Sequence, residues 1–151
     1  MKRIFLIFTV LFILSNFQVE ADPFTIEFYE IVNQYRLDLG LNQLERSPAV
    51  EKIALAYSEM IGEAGTLDHH IITLFEFSQL CKNYGIENVT LEEILAYYPT
   101  GETPKFVFNQ FINSKVHRVI LEEEKGEFIG ANYIDIHGRT YFTAYIILEE
   151  K

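Results

Sequence analysis

Few residues in this chain have the chemistry to do more than fold. Two adjacent histidines, His69 and His70, open the stretch "DHHIITLFEF". A third, His117, lies in "FINSKVHRVIL" together with Ser114, and an acidic pair, Glu92 and Glu93, precedes "ILAYY". Imidazoles and carboxylates that converge in space can hold a divalent cation, share a proton or activate a water. Ser114 with His117 also spells a nucleophile and its base, but two side chains one helical turn apart align poorly for that transfer and no third, orienting group is evident. Cys81, the only cysteine, sits at helical spacing from Phe77 and reads as a buried core thiol, and it leaves the chain without an internal disulfide. The dinucleotide, P-loop, zincin and nucleophile-elbow motifs are all missing from the sequence.

These groups matter only if the fold gathers them. Phe28, Ile31, Val32, Tyr35 and Leu39 recur on one face of a first amphipathic helix that Gly40 should end. Ser47 and Pro48 open a second helix, with Val50, Ile53, Ala54, Tyr57, Met60, Ile61 and Ala64 on its apolar face. Residues 65–72 then form a loop that carries both histidines, and "TLFEFSQLCKNYG" reads as a third helix. The next segment is two-sided: Thr90 and Glu93 have capping-box spacing, while "EILAYY" suits a strand. Thr103 and Pro104 start a further helix, predicted to run through to Leu121 and to align Phe111, Ser114 and His117 on one side. A lone histidine on such a face is more often a satisfied core residue than a ligand. Two β-rich runs flank His137-Gly138, a hairpin signal that leaves His137 exposed at the tip. Helices first and a hairpin last predict an α+β fold with helices covering a sheet.

Length and composition set the outer limits. The 151 residues suit one domain, and a 49% hydrophobic share with thirteen Phe and nine Tyr is ample for a packed, aromatic-rich core. Residues 1–21 read as a signal peptide: a basic Lys2-Arg3, the apolar run Ile4 to Leu14, and the small-residue site "VEA" before Asp22. That run is shorter than the ~20 apolar residues of a spanning helix. The prediction is therefore an exported domain over 22–151, placed outside the cell, at its surface or in the periplasm, with no stable membrane insertion after cleavage. The formal net charge of −10 argues against nucleic-acid and anionic-lipid partners.

The order of these pieces resembles the CAP superfamily, the SCP or cysteine-rich-secretory-protein group, in its short bacterial form. "VNQYRLDLGLNQLERSPAVEKIALAYSEM" resembles the family opening, with Asn33 and Arg36 at its polar pair and Leu44 and Ala54 at its apolar anchors. His70 matches the first family histidine, with His69 as the neighbouring register. "EILA" resembles "ENIA" and nominates Glu93, although "ENV" at Glu87 to Val89 offers a competing register. "FINSKVHRVIL" resembles "WxxSxxHRxxL" and nominates Ser114 and His117, with Phe111 in place of the usual tryptophan. The resemblance implies a three-layer α-β-α sandwich around a mostly antiparallel sheet, and a cleft shared by His70, Glu93, Ser114 and His117. It also implies that His70 and His117 could hold Zn2+ or another divalent cation weakly, with affinity falling below a pH of about 6.5. Three functions are consistent with that cleft: binding of a small apolar ligand or a protein partner, metal-assisted hydrolysis through His70, His117 and Glu93, and a structural envelope role.

Overall fold

A computed structural model describes residues 22–148, so the signal-peptide reading of residues 1–21 lies outside the described residues. Helix α1 (Pro23–Asp38) starts where the Asp22 carboxylate accepts the Phe24 amide at 2.9 Å and Pro23 occupies the first turn. It stops at Leu39, after which Gly40 takes a φ of 76°. A short strand β1 (Glu45–Arg46) leads into α2 (Pro48–Ala64), capped by the Ser47 hydroxyl and closed by Gly65 in the left-handed region. Helix α3 (Leu74–Asn83) has a complete capping box, in which Thr73 and Glu76 satisfy each other's backbone amides.

The two-sided segment is a strand, β2 (Thr90–Pro99). Pairing with a neighbouring strand and burial of Ile94, Leu95, Ala96 and Tyr98 outweigh the local helix signal there. The helix predicted over 104–121 is two helices, α4 (Pro104–Asn113) and α5 (Lys115–Leu121). Ser114 between them is extended, at φ −95° and ψ 116°, so the shared face predicted for Phe111, Ser114 and His117 is broken. Strands β3 (Gly126–Ile136) and β4 (Arg139–Leu148) form the hairpin, with His137 and Gly138 at φ 50° and 76°. Two successive positive φ angles match the right-handed twist of the flanking strands.

The strand order is β1-β3-β4-β2. Only the β1–β3 pair is parallel; β3–β4 and β2–β4 are antiparallel. Alternation along β4 splits its side chains between two faces. Phe142, Ala144 and Ile146 pack against α1, α4 and α5, while Tyr141, Tyr145 and Ile147 pack against α2 and α3. The architecture is the expected α-β-α sandwich on a mixed, mostly antiparallel sheet.

Two polar residues of α1 pin its surroundings. Asn33 bridges the Leu44 backbone in both directions, at 3.0 and 2.8 Å. Arg36, fully buried, donates to the carbonyls of Asn42, Leu121 and Glu123 at 2.8, 2.8 and 3.0 Å. On the sheet's other face the α2 N-terminus sits against Gly130, where a Cβ would lie 2.6 Å from the Glu51 nitrogen and from Val50. Only glycine permits that approach. Leu39, assigned to the buried face of α1 by its spacing, is 50% exposed because the helix ends before it.

Candidate functional site

Glu93 on β2 and Tyr145 on β4 are direct cross-strand partners. Both project toward the α2/α3 side, and the Tyr145 hydroxyl donates to Glu93 Oε2. The other carboxylate oxygen lies 2.6 Å from His69 Nδ1. Burial pushes the Glu93 carboxyl above its ordinary value, opposed by the bonds from Tyr145 and His69 and by the charges of His69 and His70. Burial, and next the charge of Glu93, drive the Tyr145 phenol far upward, so it stays protonated and remains a donor.

The loop bearing His69 is tied to the same layer. Tyr57 of α2 packs edge-on against Tyr145, with centroids 6.1 Å apart, and its hydroxyl donates to the Asp68 carbonyl at 2.9 Å. The Asp68 carboxylate accepts the His70 amide at 2.8 Å, an Asx turn in the loop that carries both imidazoles. Above Glu93 opens a cavity of about 160 Å³, walled by Tyr57, His69, His70, Phe77, Leu91 and Tyr145 among others. Its chemistry is a mostly apolar chamber with one carboxyl, one phenol and two imidazoles at one end. Such a chamber can orient a small molecule by its polar head while the rest displaces water.

The predicted site residues are placed unequally. Glu93 lies at the centre of the cluster. The His70 ring lines the cavity, but His69 makes the contact with Glu93. His117 is not a wall of this cavity: it packs edge-on against Phe111 at 5.3 Å. Burial, with the charge of His69 adding to it, lowers its pKa. Ser114 forms no side-chain cap and serves as the break between α4 and α5. Tyr145 and Tyr57 escape a reading of the sequence because both look like ordinary core aromatics. The signal available is tyrosine instead of phenylalanine at buried positions, since a buried hydroxyl needs a partner.

The donor set does not fit a resident metal ion. Among the described residues no group of three or more His, Cys, Asp or Glu side chains is placed to hold one. Glu93 already receives Tyr145 on one oxygen and His69 on the other. Cys81 is the buried residue of α3, and burial pushes its thiol up to about 11, which leaves it a protonated core residue.

No family model matches the sequence, and no curated protein matches it either. Solved structures do. An outer surface protein from Borrelia burgdorferi superposes with a TM-score of 0.72 at 25% identity, over 87% of this chain and 96% of that one. An extracellular SCP-domain protein from Bacillus anthracis gives 0.71 at 17% identity, over 82% of this chain and 40% of the other, so the likeness is to a portion of that larger protein. The CAP domain of enterococcal PrgA gives 0.52 at 18% identity, over 83% of this chain and 59% of that one.

Proposed function

The chain has the fold of the CAP superfamily, and from that premise we propose that it is an exported binding protein whose cavity beside Glu93 takes a small, mostly apolar ligand with a hydrogen-bonding head. The observation that carries this reading is the Glu93 carboxyl itself. It is largely buried, held between Tyr145 and His69, and it forms the polar end of an otherwise apolar chamber. A buried carboxyl is costly to keep, and the strands that position it would pack as well with an apolar residue. Burial raises its pKa above the ordinary carboxyl value, against the bonds from Tyr145 and His69. Export is supported by the leader reading of residues 1–21 and by the naming of one relative as an outer surface protein and another as extracellular.

Calorimetric titration with octanol, octanoate and octylamine tests the reading. Each has a chain that fits a chamber of about 160 Å³ and a different head. Saturable binding of at least one, weakened tenfold or more by Glu93→Gln or Tyr145→Phe, is the expected result. Failure of all three to bind, or binding indifferent to both substitutions, overturns it.

A further inference from the structure

Next to the cavity runs a second, larger hollow of about 400 Å³. Its walls are one side of α3, from Leu74 through Phe77 and Ser78 to Cys81 and Lys82, and the segment Ile86 to Val89 with Leu91. Three observations bear on what it holds.

First, β2 ends the strand order, so one side of this ten-residue strand has no neighbouring strand. Among the described residues no turn, loop or cap backbone hydrogen bond reaches residues 87–99. An unpaired edge with open N–H and C=O groups is a template for another strand. Second, α3 lines the hollow opposite Leu91 of that strand and buries little of itself. Cys81 is its only buried residue, while Leu74 and Phe75 are 86% and 71% exposed. Third, the chain carries a net charge of −10, and Lys82 is the single cation among the residues lining the hollow, with Glu87 in the same lining.

We propose that the trough between α3 and the segment that leads from Ile86 into β2 is a docking site for an extended, basic peptide segment of a partner protein, which continues as a further strand along the open edge of the sheet. The main-chain ladder supplies affinity. Alternate apolar side chains of the peptide enter between Leu74, Phe77, Val89 and Leu91, and the intervening basic side chains face an acidic domain. A second copy of this chain is a poor occupant, since two domains of net charge −10 repel. A lipid chain would lie against Ser78, Lys82, Glu87 and Asn88, which are the wrong chemistry for hydrocarbon.

The test uses a fluorescein-labelled peptide of alternating lysine and valine, about eight residues long, followed by fluorescence anisotropy at physiological salt. Two derivatives carry N-methyl groups, one on the valine amides and the other on the lysine amides. In a strand these two sets of amides point to opposite edges. Strand addition predicts saturable binding that one derivative weakens at least tenfold and the other leaves within about threefold. Ser78→Trp, at an exposed position that folding tolerates, should fill the trough and weaken binding tenfold. The Glu93→Gln protein should still take the peptide within twofold, which separates this site from the small-ligand cavity. No saturable binding, or equal effects of the two methylation sets as a purely ionic attraction would give, overturns the proposal. Concentration-dependent dimerisation that Ser78→Trp abolishes would assign the trough to a second copy and also overturn it.

Discussion

The two faces of the sheet are finished to different standards. On the α1/α4/α5 face, Phe28, Phe111 and Phe142 pack against one another with centroids 5.0 to 6.2 Å apart, and all three are essentially inaccessible. The α2/α3 face starts as tightly, where Gly130 lets α2 rest on β3 and Ser58 bonds Thr143 at 2.9 Å. Toward β2 it opens: α3 covers its strand partially, and the cavity and trough occupy the remaining space. One face is built for stability. The other gives up packing where Glu93, His69 and Tyr145 gather, the usual relation between a rigid scaffold and the site it displays.

The sharpest way to break this contrast is to cut the same kind of side chain from each face. Phe142→Ala should destabilise the protein by about 3–5 kcal/mol, because a fully buried ring leaves a cavity its neighbours cannot fill. Phe77→Ala, at a half-buried ring bordering both hollows, should cost about half as much or less, since one side of the ring already lacks partners. Urea unfolding of the two variants measures the difference. Equal losses would mean that the α3 side is as closed as the other.

Arg36→Met tests the polar staple of the closed face. Three carbonyls lose their donor, and a loss of about 2–3 kcal/mol is expected in the same assay. Gly130→Ala probes the tight end of the open face. The new methyl group meets backbone, which cannot swing aside, so about 1–3 kcal/mol of destabilisation is expected from the shift of α2. Leu74→Ser, on the rim of the trough, should change stability by less than about 0.5 kcal/mol while weakening ligand binding.

This contrast also explains what the sequence can reveal. Caps at Ser47, Thr103 and Gly65, and the turn at His137-Gly138, depend on residues a few positions apart, so local chemistry shows them directly. Asn33 and Arg36 are legible as a polar pair through family resemblance. That Arg36 is wholly buried is not, because its partners lie up to 87 residues away. The strand identity of Thr90 to Pro99 rests on pairing with β4, which comes about fifty residues later, and local spacing points both ways. The site suffers most. Glu93 is legible, but its partner Tyr145 is fixed by strand register, and the contact comes from His69 instead of His70. The break at Ser114 has no proline or glycine to announce it.

The smallest predicted effect separates the two imidazole-bearing sides by the sign of their response to pH. Glu93 has a raised folded pKa, so as pH climbs above the ordinary carboxyl value of 4.5 the unfolded chain releases this proton first. Stability from this group therefore declines through that window and levels off above the folded pKa. His117 has a folded pKa below the ordinary 6.5, so below that value the unfolded chain takes up a proton that the folded one refuses. Its contribution is present above 6.5 and is lost as pH falls through the folded value. Relative to wild type, Glu93→Gln should thus gain stability as pH rises from about 4.5, and His117→Phe should gain it as pH falls below about 6.5. Urea midpoints measured at half-unit steps between these limits give the two difference curves. Opposite slopes would place a neutral-preferring carboxyl on the open face and a neutral-preferring imidazole beside Phe111. Parallel slopes would overturn that placement of the two groups.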